Sequence, residues 1–342
     1  MILLRSVRAS DYPSLKKLIL NSDLTGITTL ALDEKSLKTR LDKALHSFQN
    51  PDPNKHCYYW FILEDTYTQE VLGVSAIATQ IGKKHNFYAF ERIPYTNNCK
   101  TLGIKHSGEM LKLTLKLKTA TELCSLFMHP DKRKLGHGSF LSCARFLFLG
   151  AFTEYFAPTI IAELRGVTDE HRSTPFWNAL GKHFFHMEFL EADRLSNVTD
   201  KKFIAKLMPK NPFYVCMLPK KAQQVIDKPH VNSIPAMNIL LKEGFRLSEF
   251  IDIFDAGPIL KTKVHKIKTI KAMKSLTVLL KDDLVNPQDA WVSNTNFANF
   301  SVIKCKIMLN QTNDKVILPQ ECASLLRVKE KAKVNVVVRD LE

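Results

Sequence analysis

The chain has 342 residues, more than one hydrophobic core usually holds, so its length predicts two domains or one domain with a substantial appendix. Its 45% hydrophobic content is ordinary for a globular protein. No apolar run is long enough to span a bilayer, and the first residues, MILLRSVRASDY, carry charges where a secretory signal needs an unbroken apolar core, so a cytoplasmic protein without membrane contact is expected. The formal charge of +15 raises nucleic acid or another anion as a partner, yet the lysines are spread over two segments, 105–118 and 261–274. Neither segment interleaves stacking aromatics, which argues for a solvated basic surface and against a nucleic-acid groove.

Residues 2–7 (ILLRSV) read as a first strand. Ser10 or Asp11, followed by Pro13, opens a helix carrying Leu15, Leu18 and Ile19 that stops near Asn21. The uncapped, threonine-rich stretch 24–32 reads as a loop, and a second helix from Asp33 places Leu37, Leu41 and Leu45 on one face. Tyr58 to Glu64 and Val71 to Ala78, β-branched and aromatic around a polar link, predict an antiparallel hairpin. Residues 84–120 stay ambiguous: MLKLTLKL alternates as a strand does, but leucine and lysine also suit a helix.

Leu123 to Met128 predicts a short buried strand stopped by Pro130. A basic turn follows, with Lys132, Arg133 and Lys134 before Gly136 and Gly138. Ser139 to Leu149 then reads as a helix with Phe140, Leu141, Ala144, Leu147 and Phe148 on one stripe. Thr159 to Leu164 is the next strand, and a strand-helix-strand unit of this size implies parallel pairing through a right-handed crossover. Helices are predicted at Ser173 to Phe185, Asp200 to Met208, near Pro219 to Ile226, and at Ser233 to Phe245, with a strand at Phe250 to Phe254. The first and last of these helices share a polar cap, an early proline and a late glycine; they read either as echoes of a duplicated half or as chance. Past Gly257-Pro258 the composition shifts toward lysine and β-branched residues. Strand-like runs at 301–309, 315–318 and 334–338 surround a helix after Pro319, so a boundary near residue 260 (1–260 against 261–342) sets off a small β-rich C-terminal domain with no active-site pattern.

Strand, basic glycine turn and helix together form a phosphate cradle. Glycines let the backbone approach the anion, the first helical turn supplies free N–H groups, and basic side chains add field. The spacing Arg133-x-x-Gly136-x-Gly138 lacks the third glycine of a dinucleotide fingerprint and the Gly-Lys-Ser/Thr of a Walker loop. Taken alone it would also suit an ordinary basic turn. The seven cysteines are scattered, odd in number and without a Cys-x-x-Cys pair, so neither a disulfide framework nor a metal site is expected. The turn resembles the pyrophosphate loop of the GNAT acyltransferases, Gln/Arg-x-x-Gly-x-Gly/Ala after a strand. That likeness implies a coenzyme A diphosphate held by Arg133, Gly136, Gly138 and Ser139.

Five stretches, the first containing that turn, extend the resemblance: ELCSLFMHPDKRKLGHG, AELRGVTDEHRSTPFWNALGKHFFHMEF, FIAKLMPKNPFYV, VIDKPHVNSIPA and LKEGFRLSEFIDIFDAGP. Together they are similar to arginine N-succinyltransferases and their arginine/ornithine relatives. The resemblance implies an α+β, GNAT-like core of mixed β-sheet with flanking helices. It also implies direct transfer of succinyl from succinyl-CoA to the α-amino group of L-arginine in arginine catabolism, without a metal, in a homo-oligomer or with a related subunit. By position it gives Leu126 as a succinyl-CoA contact and His230 as the proton donor. Two departures stand out: Gly26-Ile27-Thr28-Thr29-Leu30-Ala31 replaces the family's Gly-Leu-Thr-Ser-Leu-Pro, and His129 and Lys132 stand where an acidic and an aromatic residue are expected. Two other readings are acetyl transfer to another amine or a protein lysine, and a non-catalytic basic nucleic-acid-binding or scaffold protein.

Aminolysis of a thioester needs a donor for the oxyanion and a proton for the leaving thiolate. A free N–H at Leu126 suits the first, and an imidazole at His230 suits the second, although a lone histidine after proline also fits a cap. Arginine as acceptor calls for a carboxylate, with Glu163, Asp169 and Glu170 as candidates, and for a cation, with Arg165 the candidate; the same cluster also suits a salt-bridged loop. Alternation lets only one of Asp252 and Asp255 face a site. No cation for the succinyl carboxylate is marked by the sequence.

Overall fold

In the computed structural model, which describes residues 1–20, 33–133, 136–171, 173–198 and 202–339, the chain opens with β1 (Ile2–Ser6). Arg5 on this strand pairs with Asp11 at 2.8 Å and with Glu64 at 2.6 Å. Asp11 also accepts from the Arg8 amide, so it closes a 3-10 turn ahead of α1 (Tyr12–Ile19) rather than capping that helix. The stretch read as a loop over 24–32 lies outside the described residues. α2 (Glu34–Gln49) starts where Asp33 accepts from the Ser36 amide, and it buries Leu37 and Leu41. β2 (Tyr58–Asp65) and β3 (Glu70–Ala78) form the expected antiparallel hairpin. After the single turn α3 (Ile81–Lys84), the ambiguous region is strand: β4 (Ala89–Cys99) and β5 (Ile104–Thr114) pair along their whole length, burying Leu111 and exposing Lys112.

β6 (Thr121–Met128) lies antiparallel to β3 and leads into α4 (His137–Cys143) and α5 (Arg145–Ala151). The helical stretch starts two residues before Ser139 and breaks at Ala144, where the Arg145 guanidinium donates to the Ser142 carbonyl at 2.8 Å. α4 sits close on the sheet because position 73 is glycine. A Cβ there would stand 2.7 Å from the Phe127 carbonyl oxygen and 2.9 Å from Leu141. β7 (Thr159–Glu163) pairs with β6 in parallel, as a crossover unit requires.

A run of short elements follows: α6 (Pro175–Ala179), α7 (Gly181–Phe185), α8 (Phe189–Val198), α9 (Lys202–Leu207), β8 (Phe213–Tyr214) and α10 (Lys220–Val225). They enclose a second core of Phe90, Phe176, Trp177, Phe185 and Phe254. α11 (Ile234–Lys242) packs instead against α4, so the two helices with similar sequences occupy different places in the fold. β9 (Arg246–Ile251) lies earlier than the expected strand at 250–254. Asp252 accepts from the Phe254 and Asp255 amides and turns the chain there into β10 (Pro258–Lys263). The N-terminal part of the sheet thus runs β1-β2-β3-β6-β7-β10-β9-β4-β5-β8.

Residue 260 falls inside β10, and α12 (Lys268–Ala272) still packs on α5, so the strand-rich remainder begins later than the shift in composition. It comprises β11 (Lys274–Leu280), β12 (Gln288–Ser293), β13 (Ser301–Leu309), β14 (Lys315–Leu318), α13 (Gln320–Leu326) and β15 (Lys333–Val338). These five strands close on themselves in the order β12-β15-β11-β14-β13-β12, around Val278, Val292, Val316, Leu318 and Val334. The barrel is joined to the rest by backbone pairing of β13 with β1 and by Phe297 and Phe300, each 4.9 Å from the Phe148 ring.

Candidate active site

β6 carries one residue more than β3 across the centre of their ladder. Val74 opposes Phe127 and Ala76 opposes Cys124, so Ser125 and Leu126 stand against Ser75 alone, which is a β-bulge. Ser125 adopts φ +50°, and its Oγ accepts from the Tyr58 hydroxyl at 2.8 Å. The parallel pairing with β7 covers only Thr121 with Ile160 and Glu122 with Ile161, so Leu126 has no register partner on either neighbour. On the α4 side, Arg145 is 1% exposed and donates to the carbonyls of Ala76 at 2.8 Å and Cys124 at 3.3 Å. It ties β3 to β6 where their ladder is interrupted. Burial lowers its pKa to about 10, so it remains charged at neutral pH.

At the end of β6 the chain makes a 3-10 turn over Pro130–Lys132 and reaches Gly136 at φ +80°, one residue before α4. A Cβ at Gly136 or Gly138 would meet none of the described residues within 4 Å, so on their side the face of this turn is open. Arg133 is exposed, with Nε 3.4 Å from the Met128 carbonyl; Ser139 is half-buried in the first turn of α4. Lys132 is taken up by Glu70 at 2.7 Å. A hollow of about 130 Å³ lies against Gly136 and His137, walled by Phe140, Ile2 and Lys304. Nothing local in the sequence marks Lys304; pairing of β13 with β1 brings it here.

His230 is held beside the exit of β7. Its amide donates to the Arg165 carbonyl at 2.7 Å, and Pro229 bridges Gly166. Asp255 accepts from the Gly166 amide at 2.7 Å and from the Gly257 amide at 2.8 Å, while Asp227 binds Arg92 and donates its amide to the Ala256 carbonyl. The His230 Nδ1 accepts from the Asn232 amide at 3.1 Å, which leaves the proton of the neutral ring on Nε2. Partial burial and the charge of Arg165 lower its pKa, so the neutral form prevails at pH 7. Burial, with Asp252 nearby, raises the Asp255 carboxyl well above its usual range despite the two N–H donors.

The acceptor candidates are not all brought together. Arg165 lies beside His230 and reaches Thr168 Oγ1 at 3.3 Å, and half-buried Glu163 ends β7 opposite Ile259. Asp169 and Glu170 sit in an exposed turn, where Asp169 is engaged with the main chain of Ser173. Asp252 and Asp255 both lie in the turn after β9 and both bind amides, so strand alternation does not apply to them. Part of the lysine-rich sequence gathers far from the bulge. Lys116, Lys261, Lys263, Lys266 and Lys271 line a cavity of about 790 Å³ at the N-terminal ends of β6 and β7, two of them paired with Glu91 and Glu249. Among the described residues no helix is long and apolar enough to cross a membrane, and no three His, Cys, Asp or Glu residues are grouped to hold a metal ion.

A family model described as the arginine N-succinyltransferase beta subunit matches residues 2–269. An arginine N-succinyltransferase of Photorhabdus laumondii is 36% identical over 328 residues, covering 95% of each chain. One from Escherichia coli is 35% identical over 338 residues, covering 98% of this chain and 97% of its own. The solved structure of arginine/ornithine succinyltransferase subunit AI from Pseudomonas aeruginosa superposes with a TM-score of 0.87 at 29% identity, over 99% of this chain and 98% of that one. The matched region runs from β1 to α12, and the solved relative continues through the barrel. With a match over most of its length and relatives of this similarity, the chain belongs to the arginine N-succinyltransferase family.

Proposed function

We propose that this chain transfers the succinyl group of succinyl-CoA to the α-amino group of L-arginine, by direct attack within a ternary complex, in arginine catabolism. The observation that carries the reading is the bulge at Ser125 and Leu126 on a strand whose end is an open glycine turn. On this reading the CoA diphosphate sits on the amides at Gly136, Gly138 and Ser139, with Arg133 and Lys304 adding charge. The thioester carbonyl then accepts from the Leu126 N–H. The unprotonated amine attacks, the C–N bond forms, and the carbonyl electrons move to oxygen, where a preorganised donor is worth about 3 kcal/mol.

Collapse breaks the C–S bond, and the proton shed by the amine ends on sulfur, giving the amide and free CoA. His230 serves this step by a hydrogen bond from Nε2–H that stabilises the departing thiolate until it takes up the proton shed by the amine, so the ring stays neutral throughout. Arg165 is the cation for the acceptor's carboxylate. Glu163 is better placed than Asp169 or Glu170 for its guanidinium, being half-buried at the strand end. A cytoplasmic enzyme, alone or with a like or related subunit, fits this chemistry. The test is mass spectrometry of the product from succinyl-CoA and arginine, with thiol release followed in parallel. Succinylarginine with one thiol per product is expected. Transfer only from acetyl-CoA, or only to another amine, would overturn the reading.

A further inference from the structure

We propose that Lys43 and Arg40, on the face of α2 that overlies Tyr58, bind the free carboxylate of the acyl group and so select a dicarboxylic acyl thioester. The inference rests on the acyl-transfer reading above and supplies the cation that the sequence did not mark. Spaced three residues apart, the two side chains share a helix face. The Arg40 guanidinium carbon stands 5.8 Å and the Lys43 Nζ 5.6 Å from the centroid of the Tyr58 ring. The hydroxyl of that tyrosine donates to Ser125 Oγ at 2.8 Å, and Ser125 is the bulge residue directly before Leu126. One aromatic side chain therefore separates the two cations from the segment at which the thioester carbonyl would be held.

Among the described residues, Lys43 is also a cation with no carboxylate paired to it. Around it stand the Tyr58 ring, the cations Arg40 and Lys84, the His56 imidazole, and the thiols Cys57 and Cys124; burial and the like charges lower its pKa to about 8. Elsewhere buried cations are met by carboxylates or, for Arg145, by main-chain carbonyls. Partly or wholly buried Arg5 is paired with Asp11 and Glu64, and Arg92 with Glu109 and Asp227. An ammonium withdrawn from water with no carboxylate beside it is costly, and an anionic ligand relieves that cost. In a succinyl thioester the free carboxylate lies two methylenes beyond the carbonyl, roughly 4 Å from carbon to carbon. It is thus a charge that must be met close to the reacting centre, whereas an acetyl or butyryl group brings none.

The test compares succinyl-CoA with butyryl-CoA, which has the same carbon count and a methyl in place of the carboxylate. Binding of each is measured by calorimetry without arginine, so the readout does not depend on catalysis. Lys43→Met should cut the preference for succinyl-CoA at least tenfold while leaving the Kd of butyryl-CoA and of free CoA unchanged. Lys43→Arg should retain the preference, and Arg40→Met should lower it in the same direction. An unchanged preference in Lys43→Met, or equal loss for both thioesters, overturns the proposal, as does a defect confined to the KM of arginine. Failure of the wild type to make succinylarginine would defeat the parent reading, whereas the ratio of the two thioester affinities would still report on the anion site.

Discussion

Replacing Gly138 by aspartate isolates the contact between the glycine turn and its ligand. In the free chain a Cβ at this position meets none of the described residues within 4 Å, and Gly138 is absent from the positive-φ positions, so the fold has no reason to resist it. At the second residue of α4 a carboxylate faces the positive end of the helix, which should contribute about 0.3–1 kcal/mol. The melting temperature should stay level or rise by about a degree. In the complex, the same carboxylate stands beside the diphosphate on the N–H groups of the first helical turn. Two like charges about 5 Å apart repel by roughly 3 kcal/mol at an effective dielectric of about 20, which weakens CoA binding by about 100-fold or more. Gly138→Ala, the residue that the resembling loops also carry here, should bind CoA nearly as well as glycine does. Gly136→Ala differs because that residue sits at φ +80°, so about 1–2 kcal/mol of backbone strain should lower stability. The assay pairs thermal melts with calorimetric titration of CoA, and adds kcat/KM for succinyl-pantetheine, which lacks the diphosphate. Gly138→Asp should leave the truncated donor nearly unaffected. Full CoA affinity in Gly138→Asp, or equal loss with both donors, would refute a diphosphate seat at this turn.

His230→Gln should lower kcat about 100-fold or more with little change in CoA affinity, measured by steady-state kinetics; unchanged kcat would remove the residue from the mechanism. Asp255→Asn puts an amide where one carboxylate oxygen now accepts from the Gly166 or Gly257 N–H, and should cost about 1–3 kcal/mol in urea denaturation. Because Gly166 bridges Pro229, kcat should fall too, and normal stability with normal kcat would show that the clamp is idle. Phe148→Ala removes a ring within 5.2 Å of Phe61 and 4.9 Å of both Phe297 and Phe300, and should destabilise by about 3–5 kcal/mol. A loss below 1 kcal/mol would mean that the site collapses freely. Burial lowers the pKa of His56 to about 4, with Nδ1 2.6 Å from the Thr79 carbonyl oxygen. The unfolded chain therefore binds this proton first, so the contribution is complete above pH 6.5, declines as pH falls from there toward 4, and changes no further below that. Denaturation midpoints should follow that slope in the wild type and lose part of it in His56→Gln; identical slopes would exclude His56 as a source.

Local pattern determined the elements whose signals are short-range. The aromatic hairpin of β2 and β3, the cap at Asp33, the glycine turn after β6 and the buried stripe of α4 and α5 follow from period, propensity and punctuation. The site positions carried by family resemblance, Leu126 and His230, fell on a bulge and on a pinned loop. What the sequence left open depends on partners far along the chain. Residues 84–120 could be helix or strand until β4 and β5 paired, because leucine and lysine satisfy either period. The bulge has no signature of its own, since it is a mismatch in register between β3 and β6, some fifty residues apart. Arg145 breaks its helix and spans that mismatch only because its guanidinium is enclosed among carbonyls. Pairing of β13 with β1 brings Lys304 to the glycine turn, and α2 sets Lys43 above Tyr58. Period records which face of an element is buried, whereas the atom that faces it is chosen by the pairing of distant strands, and tertiary structure alone supplies that pairing.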